Sequence, residues 1–184
     1  MTLTDAIELN RVDVLQQMKD SGSLPNLMED LDTSKSQWYP HEIAIKWGNL
    51  EALKWLVNDS GQTVDLTVFD NRGVVTAAAY EHLDVLKWMV LESKQPVLVK
   101  IDPDDTSWYK SDHYHNHAIE NFLEAVNQLH MVGVSSERIQ STPNMVRLVE
   151  DGRFSARIVS QLTPSDIELA AGVTPPTRRT SRRL

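Results

Sequence analysis

GNLEALKWLV, residues 48–57, returns as EHLDVLKWMV at residues 81–90, with its acidic, apolar, lysine and tryptophan positions in the same order. Leu50, Leu53, Trp55, Leu56 and Val57 make a broad apolar stripe on a helix, and Leu83, Leu86, Trp88, Met89 and Val90 repeat it at the same offsets. Each copy is preceded by a small or apolar cluster, HEIAIKW at 41–47 and VVTAAAY at 74–80. Each unit is therefore predicted to be two short helices joined by a tight turn. Ala44 and Ala77 are separated by the same interval as Gly48 and Glu81, and small residues there let the two helices of a unit approach closely. Neither unit can hide its apolar face alone, so the units are expected to stack.

YPHEIAIKWGNLEALKWLV, from Tyr39 to Val57, resembles the ankyrin repeat pattern TPLHLAARNGHLEVVKLLL without a gap, and the interval from Ala44 to Ala77 equals the ankyrin period. VVTAAAYEHLDVLKWMV, from Val74 to Val90, aligns in the same way. A weaker copy, DAIELNRVDVLQQMKDSG at 5–22, matches around Ala6, Val12, Asp13, Val14, Leu15 and Met18. Its spacing to the next unit, with Ala6 set against Ala44, is longer than that from Ala44 to Ala77. The resemblance covers residues 3–100 with interruptions. It implies an all-α fold, an ankyrin-type solenoid of about three to four helix pairs, with repeats near 3–22, 39–61 and 72–94. The copies are divergent: TPLH survives only as Pro40, and the glycine of the inter-helix turn is Gly48 in one unit, Glu81 in the next and Asn10 in the first. The family makes a β-hairpin finger between units, and FDNRG at 69–73 resembles its turn, closer to Ala77 than the family spacing allows. An unrelated bundle of amphipathic helices is the alternative.

Outside the copies the chain changes character. GSLPNLMEDLDTSKSQWYP, 22–40, is polar and acidic and reads as a solvated loop, with Met28 and Leu31 placed for one helical turn. KQPVLVKIDPDD, 94–105, alternates Val97, Val99 and Ile101 against Leu98 and Lys100 and reads as a strand or extended edge. Residues 116–133 set Ile119, Phe122, Leu123, Val126 and Leu129 on one helix face, and 141–152 open with Thr142 and Pro143 and close at Gly152. These two helices are expected to form a degenerate repeat, 111–152, that caps the stack and completes a domain of residues 1–152. A short helical extension at 153–173, carried by TPSDIELAAG, precedes a basic tail at 174–184 expected to be disordered.

Composition narrows the function. With 41% apolar and 24% charged residues among 184, the chain can bury a core. It has no cysteine, which removes disulfides and thiolate chemistry and fits a reducing, intracellular setting, cytoplasmic or nuclear. An effector delivered into another cell fits the same composition. No apolar run reaches the roughly 18 residues of a membrane span, and the N-terminus lacks the pattern of a secretory signal. Four of the 18 Lys and Arg lie in residues 177–184, leaving 14 against 26 Asp and Glu, a net of about −12 for the rest. Such a body repels the nucleic-acid backbone.

Candidate sites follow from side-chain chemistry. No nucleophile elbow, HExxH or phosphate-binding glycine loop is present, and no cofactor is expected. DHYHNH at 112–117 places His113, His115 and His117 at alternate positions, a weak candidate metal site without a second ligand cluster and the basis of an alternative assignment as a small metal-binding protein or metal-dependent enzyme. IDPDDTSW at 101–108 lacks the glycine and glutamate of a calcium loop. RRTS at 178–181 resembles a basophilic kinase target at Thr180 or Ser181. Trp55 and Trp88 match consensus leucines and are expected in the core. Trp47 and Tyr80 precede the inter-helix turn in equivalent positions, which the resemblance implies face the concave side. Trp38, Tyr39, Trp108 and Tyr109 lie near the finger regions, whose tip would carry Asp70, Asn71 and Arg72. Together these make the expected surface for a protein partner, since aromatic and arginine side chains dominate interface energetics. The expected function is a non-enzymatic interaction module or adaptor.

Overall fold

The structure, a computed structural model, describes residues 1–28, 38–99, 116–131 and 133–150. Its described residues are helices and connecting segments without strands. The first pair is α1 (Leu3–Glu8) and α2 (Val12–Asp20), the second α3 (Pro40–Lys46) and α4 (Leu50–Asn58), the third α5 (Val68–Ala79) and α6 (Leu83–Leu91). The helices of each pair touch, α3 lies between α1 and α5, and α2 lies against α4. Beyond α6 come α7 (His117–Met131), α8 (Ser136–Ser141) and α9 (Pro143–Glu150), with α8 against α6 and α9 against both α7 and α8.

The turn inside each pair is closed in one way. Asn10, Gly48 and Glu81 adopt left-handed φ values of 52°, 69° and 62°. Each donates its N–H to the carbonyl three residues back, at Ile7, Ile45 and Ala78. The next residue donates five residues back, to Ala6, Ala44 and Ala77. This Schellman closure satisfies the free carbonyls of a helix end, and the three alanines are fully buried. Gly48 is required for a reason the other two positions lack: a β-carbon there would lie 2.5 Å from the ring Nδ1 of His82.

Packing between pairs uses polar straps as well as the apolar core. The Asn49 amide donates to the carbonyls of Ile7 and Glu8 at 2.7 and 2.9 Å, and Nε2 of its counterpart His82 bonds the Lys46 carbonyl at 3.0 Å. Trp55 is buried as expected, and its indole N–H donates to Gln16 Oε1 on α2 at 3.0 Å. Trp88 is buried to the same degree. After the second helices, Ser60 and Ser93 donate back to Leu56 and Met89 carbonyls at 2.7 and 2.6 Å. Gln62 accepts from the Leu27 N–H and donates to the Pro25 carbonyl, at 2.9 and 2.8 Å. Gln95 treats Leu66 and Val64 identically, at 2.8 Å for both bonds. A Ser-x-Gln motif, SGQ at 60–62 and SKQ at 93–95, thus fastens the end of one pair to the loop leading into a first helix.

Three expectations are corrected. FDNRG is not a finger turn: residues 68–79 are the continuous helix α5. Gly73 sits inside it because Met89 Cε and Ile45 Cδ1 come within 2.8 and 3.0 Å of where a β-carbon would be, so glycine allows helix packing there rather than a turn. Residues 97–99 carry no strand; Val97 and Val99 are buried, and the Val97 carbonyl accepts from Ser136, so the apolar alternation marks a segment packed on α7 and α8. The region expected as a two-helix cap holds three helices, because SSERIQS forms α8 with Ser135 as its N-cap. The supposed helical turn around Leu31, the extension at 153–173 and the tail lie outside the described residues.

The turn chemistry predicts different outcomes at equivalent sites. Gly48→Ala should cost about 1–3 kcal/mol in urea unfolding, from left-handed strain and the encroached His82 ring. Glu81→Gly should be nearly neutral, as relief of left-handed strain of roughly 1 kcal/mol offsets the greater freedom of glycine in the unfolded chain. Equal effects at the two positions would contradict this account of the turn.

Candidate functional site

The residue before each left-handed turn position is the C-cap of a first helix: Leu9, Trp47 and Tyr80. All three are exposed, at 63%, 54% and 47%, while the alanines two to three residues earlier are buried. Because α1, α3 and α5 are adjacent in that order, the three side chains form a row of large apolar groups in water. Trp47 and Tyr80 come together with Lys46 and His82 around one open pocket of about 240 Å³.

Lys46 and Trp38 build the floor beside that row. The Lys46 ammonium lies 5.2 Å from the Trp38 ring centroid and 5.8 Å from that of Tyr80. The Arg72 guanidinium lies 5.3 Å from Trp38. Two cations thus flank one indole, an arrangement favoured by the negative face of the ring. The Tyr80 and His82 rings run parallel, with centroids 6.5 Å apart.

Beneath this surface is a buried charge pair. Glu42 is 1% exposed and receives Nε and Nη2 of Arg72, each at 2.6 Å, together with the Tyr39 N–H at 3.0 Å. Arg72 therefore ties α5 to α3; it holds no finger tip. Bidentate charge-assisted bonds are among the strongest available to a side chain, and removing the arginine would strand a carboxylate away from water. His41, also 1% exposed, stacks on Tyr39 with centroids 5.7 Å apart, and neither ring nitrogen has a hydrogen-bond partner among the described residues. Burial pushes its pKa down to about 4, against the smaller opposing pull of Glu42 and Asp65. Asp65 is itself held below the usual carboxylate range by bonds from the Thr67 hydroxyl and N–H.

Of the expected partner-binding residues, the structure brings together Trp38, Tyr39, Trp47, Arg72 and Tyr80. Asp70 and Asn71 lie within α5, and Trp108 and Tyr109 fall outside the described residues, as do His113, His115, Thr180 and Ser181. His117 is described: it begins α7, is 79% exposed and pairs with Glu120 at 3.1 Å. No group of three metal-ligating side chains occurs among the described residues. No described helix is long and apolar enough to cross a membrane.

Sequence reasoning missed Leu9, Lys46 and His82. Leu9 was findable, since it precedes Asn10 as Trp47 precedes Gly48 and Tyr80 precedes Glu81. It also missed a Ser136–His130 contact of 3.3 Å. Ser136 is 2% exposed and its hydroxyl also reaches the Val97 carbonyl at 3.0 Å, while His130 Nδ1 bonds the Val99 carbonyl at 3.4 Å. Burial holds the His130 pKa down. These contacts strap residues 97–99 to α7 and α8.

No protein-family model matches the chain, and neither the curated proteins nor the solved structures supply a match.

The His41 environment gives a pH signature. Between pH 6.5 and about 4 the unfolded chain protonates this histidine while the folded chain keeps it neutral, so the unfolded state binds the extra proton and stability rises with pH. The full effect is on the order of 3 kcal/mol, lost as pH falls through that window. His41→Leu should flatten the stability slope between pH 4 and 6.5 and leave stability at pH 7 intact or higher. An unchanged slope in the variant would show that His41 titrates normally in the fold.

Proposed function

We propose that this chain is a non-enzymatic, ankyrin-type repeat module that binds a protein partner through the row Leu9, Trp47 and Tyr80. The observation that carries the proposal is that these equivalent positions, one per helix pair, are all large, apolar and strongly exposed, whereas the other described apolar residues of the pairs are buried or half-buried apart from Val75, at 37%. Isolated apolar residues on a surface need no explanation, but a contiguous patch rimmed by polar groups is a common mark of an interaction site. Tryptophan and tyrosine are also the side chains most often found as energetic anchors of interfaces.

Three further features support the repeat reading. The left-handed turn, the buried alanine and the Ser-x-Gln strap recur in sequence register. In an ankyrin-type stack the ends of the first helices line up on the concave face, and Trp47 and Tyr80 then point the same way. With the long α5 standing where a finger turn was expected, the helix ends rather than loop tips form the contact surface.

Affinity capture with the full chain as bait, followed by mass spectrometry, identifies the partner. Trp47→Ala and Tyr80→Ala, each with an unchanged circular dichroism spectrum and unfolding midpoint, should each weaken binding of that partner by about tenfold or more. Partner affinity untouched by both substitutions would remove this surface from the function.

A further inference from the structure

The charges around the row narrow what can sit on it. Lys46 forms no ion pair among the described residues, in a chain where acidic residues outnumber Lys and Arg by 26 to 18. Its equivalents are Glu8 in the first pair and Ala79 in the third, so the cation is particular to the middle of the row. Arg72, the other cation on Trp38, is already engaged by Glu42. The Lys46 ammonium lies against both Trp38 and Tyr80, the place a partner's lysine or arginine would need for stacking. An incoming cation is therefore opposed by charge and excluded by occupancy.

The pocket beside it favours a side chain over a larger ligand. At about 240 Å³ it is smaller than the roughly 300 Å³ from which small-molecule sites begin. It is lined by Lys46, Trp47, Tyr80 and His82, a largely aromatic surround suited to one apolar side chain. Exposed Glu8 and Glu81 stand at the two ends of the row, so further carboxylates beyond the centre are disfavoured.

We infer that the Trp47–Tyr80 pocket docks a peptide segment of a partner protein that inserts one aromatic or leucine side chain and places a single carboxylate over Lys46. This deepens the proposed partner-binding function and rests on it. The apolar anchor supplies most of the affinity, because the pocket removes it from water. The carboxylate supplies selectivity rather than affinity, as an exposed ion pair changes binding by only a few-fold.

A random twelve-residue display library selected against the immobilised full chain, and in parallel against Lys46→Glu, Trp47→Ala and Tyr80→Ala, tests the inference. Against the wild type, enriched peptides should carry Phe, Trp or Leu within three residues of an Asp or Glu. Synthetic copies should bind Lys46→Glu about three- to fivefold more weakly, and binding should weaken as salt is raised. Trp47→Ala and Tyr80→Ala should each reduce binding about tenfold. Enriched peptides that need Trp47 and Tyr80 but show no acid preference, or a basic one, overturn the carboxylate while leaving the surface in place. Peptides indifferent to both aromatics, or no enrichment at all, overturn the surface as well. A self-associating chain whose dimer dissociates on Trp47→Ala would assign the pocket to a second copy instead.

Discussion

The left-handed residue that closes each helix pair is the constraint on which the rest of the structure depends. At Asn10, Gly48 and Glu81 the chain reverses within two residues, which brings the buried alanine of the first helix against the second and leaves the preceding side chain outside. Core and surface are therefore set by the same turn: Ala44 goes in because Gly48 turns, and Trp47 stays out for the same reason. The cost of placing Glu81 in this conformation, roughly 1 kcal/mol and less for Asn10, is offset by satisfied helix-end carbonyls and by the packing that the turn permits.

Lateral order comes from polar groups that differ from pair to pair. Between the first and second pairs, Asn49 and the Gln16–Trp55 bond act across α1, α2 and α4. Between the second and third, the Glu42–Arg72 pair joins α3 to α5 and His82 reaches the end of α3. The Glu42 carboxylate also accepts the Tyr39 N–H, so an acid performs a local capping role and a long-range one together. Gln140 on α8 extends the scheme by donating to the Val90 and Gln95 carbonyls at 2.9 Å, fastening the C-terminal helices to the third pair.

Much of this was legible in the sequence, and the omissions have physical causes. The apolar stripes of α4 and α6 follow from periodicity, which burial enforces, whereas the buried Trp55 and Trp88 and the exposed Trp47 and Tyr80 were expected from the resemblance to the repeat pattern. FDNRG misled because its glycine looked like a turn signal, whereas Gly73 serves close packing against Ile45 and Met89, a tertiary demand that local composition does not reveal. Ser135 and Glu137 are sound signals for the start of α8, but the helix is six residues long and too short to show a period. The cationic floor of Lys46 and Arg72 under Trp38 joins residues far apart in the chain, and only the packing of α3 on α5 brings them together.

The account holds that successive pairs stack with the end of one first helix seated against the next turn. The most direct measurement is the nuclear Overhauser pattern of the isotope-labelled full chain at Gly48. The ring of His82 occupies the space where a β-carbon would stand, so strong cross-peaks between the Gly48 α-protons and the His82 ring protons are predicted, together with contacts from the Asn49 side-chain amide to Ile7 and Glu8. Sequential contacts alone at Gly48, with none to His82, would contradict the stacked arrangement.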